Sequence, residues 1–348
     1  MDKGGIRMST IKYTKDYLGN IESLPQGVKL CKTTELTDKM MIKYLDSKDI
    51  ENIGENSIPF SEKPFNSGIS LYIPKNTKID NPIKIEFSMD RENPLVLDYN
   101  IIVAEPYSEA TILIDYNSSG KVDSCHNGFT KVYAKENSVI NIIKLQRMNN
   151  CSSNLDSNIA FVYGGGKVNW ISVELGGSIS GSNYKSVLEE EASESNLSSI
   201  YLGHNSCNIN LDYSMIHKGP RSISNIEARG VLMDTARKTF KGTLDFKKGA
   251  RHSIGVEKEY IILLDPTVKS DSIPALLCEE DDVEGEHAVS AGQIDKNKLF
   301  YLMSRGLSEN EAKRLVVQAS FKPIIEKIPF EDLQNIINGE IERRLMHV

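Results

Sequence analysis

The stretch LVLDYNIIVAEPYSEATILIDYNSSGKVDSCHNGFTKVYAKENSVINIIKL, residues 95–145, decides the fold class. It contains three apolar runs rich in β-branched residues, at residues 95–104, 110–116 and 139–145, and each lies next to Asn, Ser or Pro. Such runs are typical of β-strands joined by short turns. Residues 95–145 therefore predict consecutive strands with no helix between them.

The same pattern extends in both directions, from Gly68 to about Leu264. Almost no amphipathic helix interrupts this interval, which argues against alternating βα units of the Rossmann type. A mainly β body remains, and it could be a sandwich, a propeller or a stacked β-solenoid. No clear sequence repeat occurs, which disfavours a propeller and leaves an irregular β-helix or a large sandwich.

Helical patterns are confined to the two ends of the chain. Residues 34–45 carry Leu, Met and Tyr at near-helical spacing, and with residues 48–53 they predict a small helical entry region. After Gly292, residues 298–305 predict a helix. The last helix is expected from residue 330 to about residue 346.

Two capping signals support the C-terminal helices. Gly306 directly follows the first of them and is a suitable C-terminal cap. Ser308 precedes Glu311 by three residues, which is the spacing of a capping box at the start of the second. The resulting helical module is expected either to pack on the β body or to present a groove to a partner.

Composition limits the function. The chain has 348 residues, a formal charge of -7 and a pI near 5.6, which argues against a general nucleic-acid surface. No apolar run is long enough for a membrane span, and residues 1–16 lack a signal-peptide core, so we expect a cytoplasmic protein. The cysteines are odd in number and dispersed, which predicts reduced thiols. They are Cys31, Cys125, Cys151, Cys207 and Cys278.

Hydrolytic and nucleotide-binding motifs are absent from the sequence. It has no G-x-S-x-G elbow, no H-E-x-x-H zinc helix and no G-x-x-x-x-G-K-[ST] phosphate loop. The Cys–His pairs at residues 125–126 and 204–207 lack the repeated C-x-x-C spacing of a zinc site, although Cys207 could relay sulfur. We therefore expect a non-catalytic chain that binds no nucleotide.

The segment IPALLCEEDDVEGEHAVSAG, residues 273–292, concentrates metal-ligand types. It contains one cysteine, one histidine and six carboxylates, so soft and hard ligands lie side by side. This combination suggests the handling of iron or sulfur rather than hydrolysis. In the simpler alternative, the acids form a solvated turn and Cys278 is a small buried residue at a strand end.

Three segments taken together resemble the SufB/SufD scaffolds of the Suf iron–sulfur cluster assembly system. Residues 65–85, FNSGISLYIPKNTKIDNPIKI, resemble an early strand of that family with its Pro-Lys turn. Residues 224–242, SNIEARGVLMDTARKTFKG, resemble its central signature, with Gly230 and Gly242 in the expected order. Residues 281–316, DDVEGEHAVSAGQIDKNKLFYLMSRGLSENEAKRLV, resemble its C-terminal signature and are the most specific match.

The resemblance implies a mainly β fold with a right-handed parallel β-helix core and small helical regions at both ends. The corresponding regions are an N-terminal helical region at 1–64, the β-helix core at 65–292, and a C-terminal helical region at 293–348. It also implies a second scaffold subunit, as a homodimer or a SufB/SufD-type heterodimer, and a sulfur donor protein. The C-terminal helices would dock an ABC ATPase similar to SufC, and no nucleic acid or membrane partner is implied.

Departures from the family pattern affect the site. His287 falls at the histidine that SufD-type members carry. The alignment places Ser186 and Ser270 where SufB-type members have cysteines, and Ala288 where they have a glutamate. The roles of those SufB residues therefore cannot be transferred to this chain.

The candidate ligands of a transient iron–sulfur cluster are Cys278, His287, Glu286 and Glu279. Thiolates hold such clusters, and histidine or carboxylate can complete a labile coordination. Cys278 and His287 could approach each other if their strands were adjacent. Strand alternation sends Cys278 and Glu279 to opposite faces, so both can serve only if the chain bends there.

Three functions therefore remain open. The first is a scaffold that assembles a nascent cluster at a dimer interface with a SufC-like ATPase, including a minimal form that works as a homodimer. The second is a structural SufD-like subunit that binds no cluster through Cys278 and supports a separate cysteine-bearing scaffold. The third, a carbohydrate-active β-helix enzyme, would need carboxylates converging on a groove, and none can be selected from the sequence.

Overall fold

The computed structural model describes residues 9–14, 17–18, 24–45 and 65–345. In these residues the chain forms a parallel β-solenoid of about eight turns, and each turn contributes one strand to each of two facing sheets. The predicted fold class, mainly β with a parallel β-helix core and small helical regions at both ends, is confirmed. No helix in the described ranges is long and apolar enough to cross a membrane.

The first sheet has ten strands, numbered here along the chain. All neighbours in it are parallel except the short pair at one edge. The strands are β1 (Ser9–Thr14), β2 (Tyr17–Leu18), β5 (Ile83–Met89), β7 (Glu109–Ser118), β9 (Val139–Arg147), β11 (Lys167–Glu174), β13 (Glu194–Gly203), β15 (Ile223–Leu232), β17 (Ser253–Leu263) and β19 (Val283–Gln293).

The second sheet has nine strands and lies opposite the first. Its neighbours are also parallel, apart from the first pair along the chain, which is antiparallel. The strands are β3 (Lys29–Lys32), β4 (Ile69–Ile73), β6 (Leu95–Ala104), β8 (Cys125–Ala134), β10 (Ser153–Val162), β12 (Ile179–Leu188), β14 (Asn208–His217), β16 (Arg237–Phe246) and β18 (Lys269–Cys278).

A column of corners joins successive turns. In each corner one residue takes the left-handed conformation, and its N–H donates to a carbonyl of the next turn, as from Tyr107 to Glu136 at 3.0 Å. The next residue is often a serine whose hydroxyl donates to the carbonyl three residues back, as Ser108 does at 2.6 Å. The left-handed residues of this column are Asn76, Tyr107, Asn137, Gly165, Ala192, Arg221 and His252.

These corners form the repeat that no sequence pattern revealed. Turn length varies, from 26 residues between the paired Ser153 and Ile179 to 32 residues between the paired Arg237 and Lys269. The backbone conformation recurs while the residue type changes. A fixed-period comparison of the sequence therefore cannot find it.

The interior between the sheets is filled by columns of similar side chains, because in-register parallel strands place each residue beside its partner in the next turn. The largest column is aromatic. Tyr184, Tyr213 and Phe240 are in register on the second sheet and meet edge to face, with ring centroids 5.5 and 5.4 Å apart. Trp170, on the first sheet, extends this group across the interior and lies 5.3 Å from Tyr184. All four are fully buried, so this column is a main part of the core.

Several buried charges in the interior are paired. Lys144 contacts Asp156 at 2.7 Å, and the His126 ring lies 2.6 Å from both Asp98 and Asn154. Burial lowers the pKa of His126, but the Asp98 and Asp156 carboxylates and the hydrogen bond to Asn154 together raise the pKa above its ordinary value. A protonated imidazole can donate to both oxygen acceptors, which satisfies the whole group.

The C-terminal helices α2 (Lys296–Ser304), α3 (Glu309–Ile325) and α4 (Glu331–Leu345) follow the last strand. Apolar residues of α3 and α4, such as Phe321 and Ile337, pack on the outer face of the first sheet. The predicted capping box of Ser308 and Glu311 is confirmed. The module therefore packs on the β body.

The N-terminal region differs from the single helix expected at residues 34–45. It contains a 3-10 turn at Thr33–Glu35, the short helix α1 (Lys39–Ile42), and a second 3-10 turn at Lys43–Leu45. The Asp38 side chain accepts from the Met40 N–H at 2.9 Å and caps the start of α1. The expected single helix is therefore divided between Glu35 and Lys39. The expected extension at 48–53 lies outside the described residues.

Short strands also occur in this region and lengthen the sheets. β1 extends the first sheet and β3 extends the second. Met41 of α1 packs with Tyr99 and Phe129 on the outer face of the second sheet. Both outer faces are thus partly covered by the ends of the chain.

We predict that Phe240→Ala destabilises the fold by about 3–5 kcal/mol, because it leaves a cavity at the end of the aromatic column. Phe300→Ala removes the same side chain where it is 73% exposed and should change stability by less than about 1 kcal/mol. Denaturant unfolding of the two variants tests this. Equal losses would contradict the packing described.

Candidate functional site

The last turn, β18 and β19, leaves one end of the solenoid open. Both strands pair with the preceding turn, and no strand in the described part of the chain pairs with their other edges. Apolar side chains are left exposed there, with Ile273 53% and Leu277 51% accessible. An unpaired parallel edge with exposed apolar residues is a surface for another chain.

Cys278 and His287 both lie on the inner side of this last turn. Cys278 is in register with Phe246, and His287 is in register with Glu257. Phe246 and Glu257 are buried in the interior, so their in-register partners face the same way. Both candidates are exposed because the described part of the chain adds no further turn over them.

The structure does not bring Cys278 and His287 together within one chain. Their strands belong to opposite sheets rather than being adjacent. A Cβ added at Gly285 would lie 2.7 Å from Leu276 Cδ1, so those two positions face each other. By alternation Cys278 faces Val283, and His287 lies four residues farther along β19, about 13 Å away.

Glu279 and Glu286 form ion pairs with lysines of the preceding turn. Lys247 contacts Glu279 at 2.8 Å and holds the pKa of that carboxyl below its ordinary value. Lys258 contacts Glu286 at 3.3 Å. In the described residues no group of three His, Cys, Asp or Glu side chains is placed to hold a metal ion.

The remaining acids of the segment form the connection between β18 and β19. Asp282 contacts the His252 ring at 3.0 Å, and the Glu280 carboxylate accepts from the Gly249 N–H at 3.0 Å. These contacts tie the connection to the previous turn. The expected turn between the two strands is therefore present, and its acidic residues attach it to the preceding turn of the solenoid.

Sequence reasoning missed a buried polar network near the open end, which reaches from the last turn back to β13. Lys238 donates to Glu259 at 2.6 Å and to Ser272 at 3.0 Å, and Ser272 and Tyr201 donate to Glu259 at 2.6 and 2.7 Å. Lys238, Glu259 and Tyr201 are fully buried. Burial lowers the pKa of Lys238, and the Glu259 carboxylate opposes that effect.

Glu257 lies beside this network and is 1% exposed. Neither of its carboxylate oxygens has a hydrogen-bond partner among the described residues. Burial, with the neighbouring Glu259 carboxylate, raises the pKa of Glu257 to about 7. It is therefore an uncompensated buried acid, a type of group that is rare in folded proteins.

Two glycines of residues 224–242 make room for these side chains. A Cβ added at Gly242 would overlap the Glu257 carboxyl group, and one at Gly230 would overlap the Tyr201 ring. The signature glycines thus mark the positions opposite or beside buried polar groups. Together with the alternating acids in VEKEY, residues 256–260, they are the signal that could have revealed the network.

The other thiol candidates lie elsewhere. Cys207 is buried, and burial raises its pKa. His204 contacts the buried Arg344 guanidinium at 3.2 Å, and burial lowers the pKa of His204 to about 4. This group docks α4 on the solenoid rather than forming an accessible ligand set.

Residues 87–320 match the family described as "SUF system FeS cluster assembly, SufBD core domain". The chain belongs to the SufBD family. The match spans the solenoid from β5 to β19 and reaches into α3, so the open last turn and its candidate ligands lie within the family core.

Relatives with curated names agree with this SufBD assignment. The chain is 26% identical over 282 residues to the iron–sulfur cluster assembly protein SufD of Bacillus subtilis, covering 80% of this chain and 64% of that protein. It is 27% identical over 367 residues to a SufBD family protein of Staphylococcus saprophyticus, covering 98% of this chain and 77% of the relative. The chain thus spans slightly less than two thirds of the length of B. subtilis SufD.

We predict that Glu257→Gln alters the pH dependence of stability. The folded protein holds a proton at Glu257 up to about pH 7, whereas the ordinary pKa is 4.5, so wild-type stability falls as pH rises through this window. The variant lacks that slope and should be more stable above pH 7, by at most about 3 kcal/mol.

Unfolding free energies at pH 5 and pH 8 measure the effect. Glu284→Gln is the matched control, because Glu284 is an exposed acid on β19 and its removal should leave the pH dependence unchanged. The same pH dependence in wild type and Glu257→Gln would contradict the burial of an unpaired acid.

Proposed function

We propose that the chain is a non-catalytic scaffold subunit that assembles a nascent iron–sulfur cluster at a scaffold dimer interface, with ATP hydrolysis supplied by a SufC-like ABC ATPase. The observation that carries the proposal is the open last turn. It combines an unpaired strand edge, exposed apolar side chains, and the inward-facing Cys278 and His287. Family membership supports iron–sulfur assembly as the process.

The offset between Cys278 and His287 favours a site shared by two subunits. The two side chains lie about 13 Å apart along the strand direction, so one metal centre cannot use both from one chain without rearrangement. A second scaffold copy, or a SufB-type partner, stacked on the open edge would bring its own ligands to each position. Sulfur would arrive from a donor protein.

Glu286 and Glu279 are secondary ligands in this proposal. Each is an exposed carboxylate in an ion pair with a lysine, and exposed pairs contribute about 0–1 kcal/mol. A partner or an incoming cation can therefore displace the lysine at a small cost in free energy. Cys278 and His287 have no ion pair with any described residue and are the primary ligands in this proposal.

The exposed part of the C-terminal module supports ATPase docking. α2 contributes no buried residue, and it exposes Phe300 and Tyr301, which are 73% and 55% accessible. Leu315 of α3 lies in the adjoining groove between α2 and α3. Aromatic residues such as Phe and Tyr are enriched at protein interfaces relative to the rest of the surface.

A second function, a structural SufD-like subunit, is favoured by Ser186. It lies on β12 at the position that resembles a SufB cysteine, and it is fully buried. Its hydroxyl accepts from Ser195 at 2.7 Å and from the Trp170 indole at 3.4 Å. Such a subunit would support a cysteine-bearing partner and hold no cluster through Cys278.

We predict that Cys278→Ala and His287→Ala each lose at least half of the iron and sulfide retained after anaerobic reconstitution of the chain with its co-expressed ATPase. Each change removes a proposed ligand. Chemical analysis gives the retained amounts, and Mössbauer spectra report the form of the iron.

Cys151→Ala is the matched control, since Cys151 is an exposed free thiol away from the last turn. It should retain as much iron and sulfide as the wild type. Full retention in both ligand variants would contradict the scaffold proposal and favour the structural subunit.

We predict that Phe300→Ala weakens binding of the ATPase by at least about tenfold, because it removes a large exposed anchor from the docking helix. Ile336→Ala removes an exposed apolar side chain, 42% accessible, from α4 instead of α2 and should bind normally. Calorimetric titration measures both. Unchanged affinity in Phe300→Ala would contradict docking through α2.

A further inference from the structure

We propose that the Glu257 carboxylate and the His287 imidazole, on neighbouring turns, form a binding site for a divalent iron ion at the open end of the solenoid. Neither the family match nor the relatives' names assign Glu257 any role. The site would take the metal before or during cluster assembly and hold it through one oxygen and one nitrogen ligand.

The register places the two groups together. Glu257 of β17 pairs with His287 of β19, so their side chains leave the same face of the sheet on strands about 4.8 Å apart. On the opposite wall, Gly242 packs directly against the Glu257 carboxyl group and is followed in the next turn by Pro274. Neither residue has a polar side-chain atom, so this wall supplies no side-chain group that competes with the carboxylate for an ion.

The Glu257 carboxylate is the unusual feature of the site. It is 1% exposed and has no hydrogen-bond partner in the described chain, whereas the adjacent Glu259 is satisfied by Lys238, Ser272 and Tyr201. Among the described residues, Lys238 is thus the single buried cation beside two buried acids, Glu257 and Glu259, so ionisation of both acids leaves an excess negative charge. A buried carboxylate in this position requires a proton or a cation.

The ligand types fit ferrous iron. Carboxylate oxygen and imidazole nitrogen both bind divalent iron, and two protein ligands leave coordination positions open for water or incoming sulfide. His287 is on the open face and reaches solvent, so the ion can enter there. Glu257, one turn deeper, would anchor the ion from inside.

The identity of the metal as iron rests on the proposed function, whereas the existence of a divalent cation site does not. Co²⁺ is a suitable probe, because its absorption bands report its ligands and it does not require anaerobic sulfide chemistry. The full-length chain is titrated with Co²⁺, and binding is followed by absorption and calorimetry.

Wild type is expected to bind one Co²⁺ per chain. Glu257→Gln keeps the shape of the side chain and removes its charge, so it should weaken binding at least tenfold. His287→Ala changes an exposed residue, leaves folding intact, and should weaken binding to a similar extent and alter the absorption bands. Glu284→Gln removes one exposed acid from β19 and should bind as wild type does.

Wild-type affinity in either Glu257→Gln or His287→Ala overturns this site, and so does absence of Co²⁺ binding by the wild type. Reconstitution with iron and sulfide separates this result from the proposed function. If no cluster forms but Co²⁺ binding depends on both residues, the scaffold proposal fails and the cation site stands. If a cluster forms but Glu257→Gln binds Co²⁺ as tightly as the wild type, the scaffold proposal stands and the cation site fails.

Discussion

The in-register parallel ladder between successive turns is the constraint on which the rest of the structure depends. It places each side chain beside its counterpart one turn away, so the interior must be filled by columns such as Tyr184, Tyr213 and Phe240. The left-handed corners keep these columns aligned although turns differ in length. The same ladder must end somewhere, and at β18 and β19 it leaves an edge whose N–H and C=O groups have no partner strand in the described chain. The open site is a consequence of the fold.

Buried acids elsewhere in the described part of the solenoid have an ion-pair or hydrogen-bond partner, as Asp156 and Glu174 do, whereas Glu257 has none. Lys144 and Asp156, His126 and Asp98, and Lys238 and Glu259 are buried as pairs, since an unpaired charge in the interior costs several kcal/mol. Glu257 has the same burial without a partner. It lies one turn from the open end, where a cation or a second chain can compensate it. The buried carboxylate without a partner thus lies beside the open end of the solenoid.

The fold class could be predicted from the sequence, because β-rich runs between short turns and three family-like segments point to the same architecture. The turn repeat could not, because the corner position is occupied by residues as different as Asn137, Ala192 and Arg221 while the conformation is conserved. Cys278 and His287 could be selected by ligand type. The separation of Cys278 and His287 along the strands could not be foreseen. Strand alternation fixes which face each residue occupies, but it does not tell which residues of the two opposite sheets lie directly across from each other. Glu257 was overlooked because acids in VEKEY resemble a solvated strand until the register buries them.

The central claim is that the open last turn holds the metal cargo of this SufBD-family chain. An anaerobic crystal structure of the iron-loaded protein with its assembled partners, with an anomalous difference map at the iron edge, tests it most directly. The account predicts an iron peak at the end of the solenoid, within bonding distance of His287 and bordered by the last two turns. A peak elsewhere on the chain, or an ordered last turn buried by a partner with no iron beside His287, would contradict it.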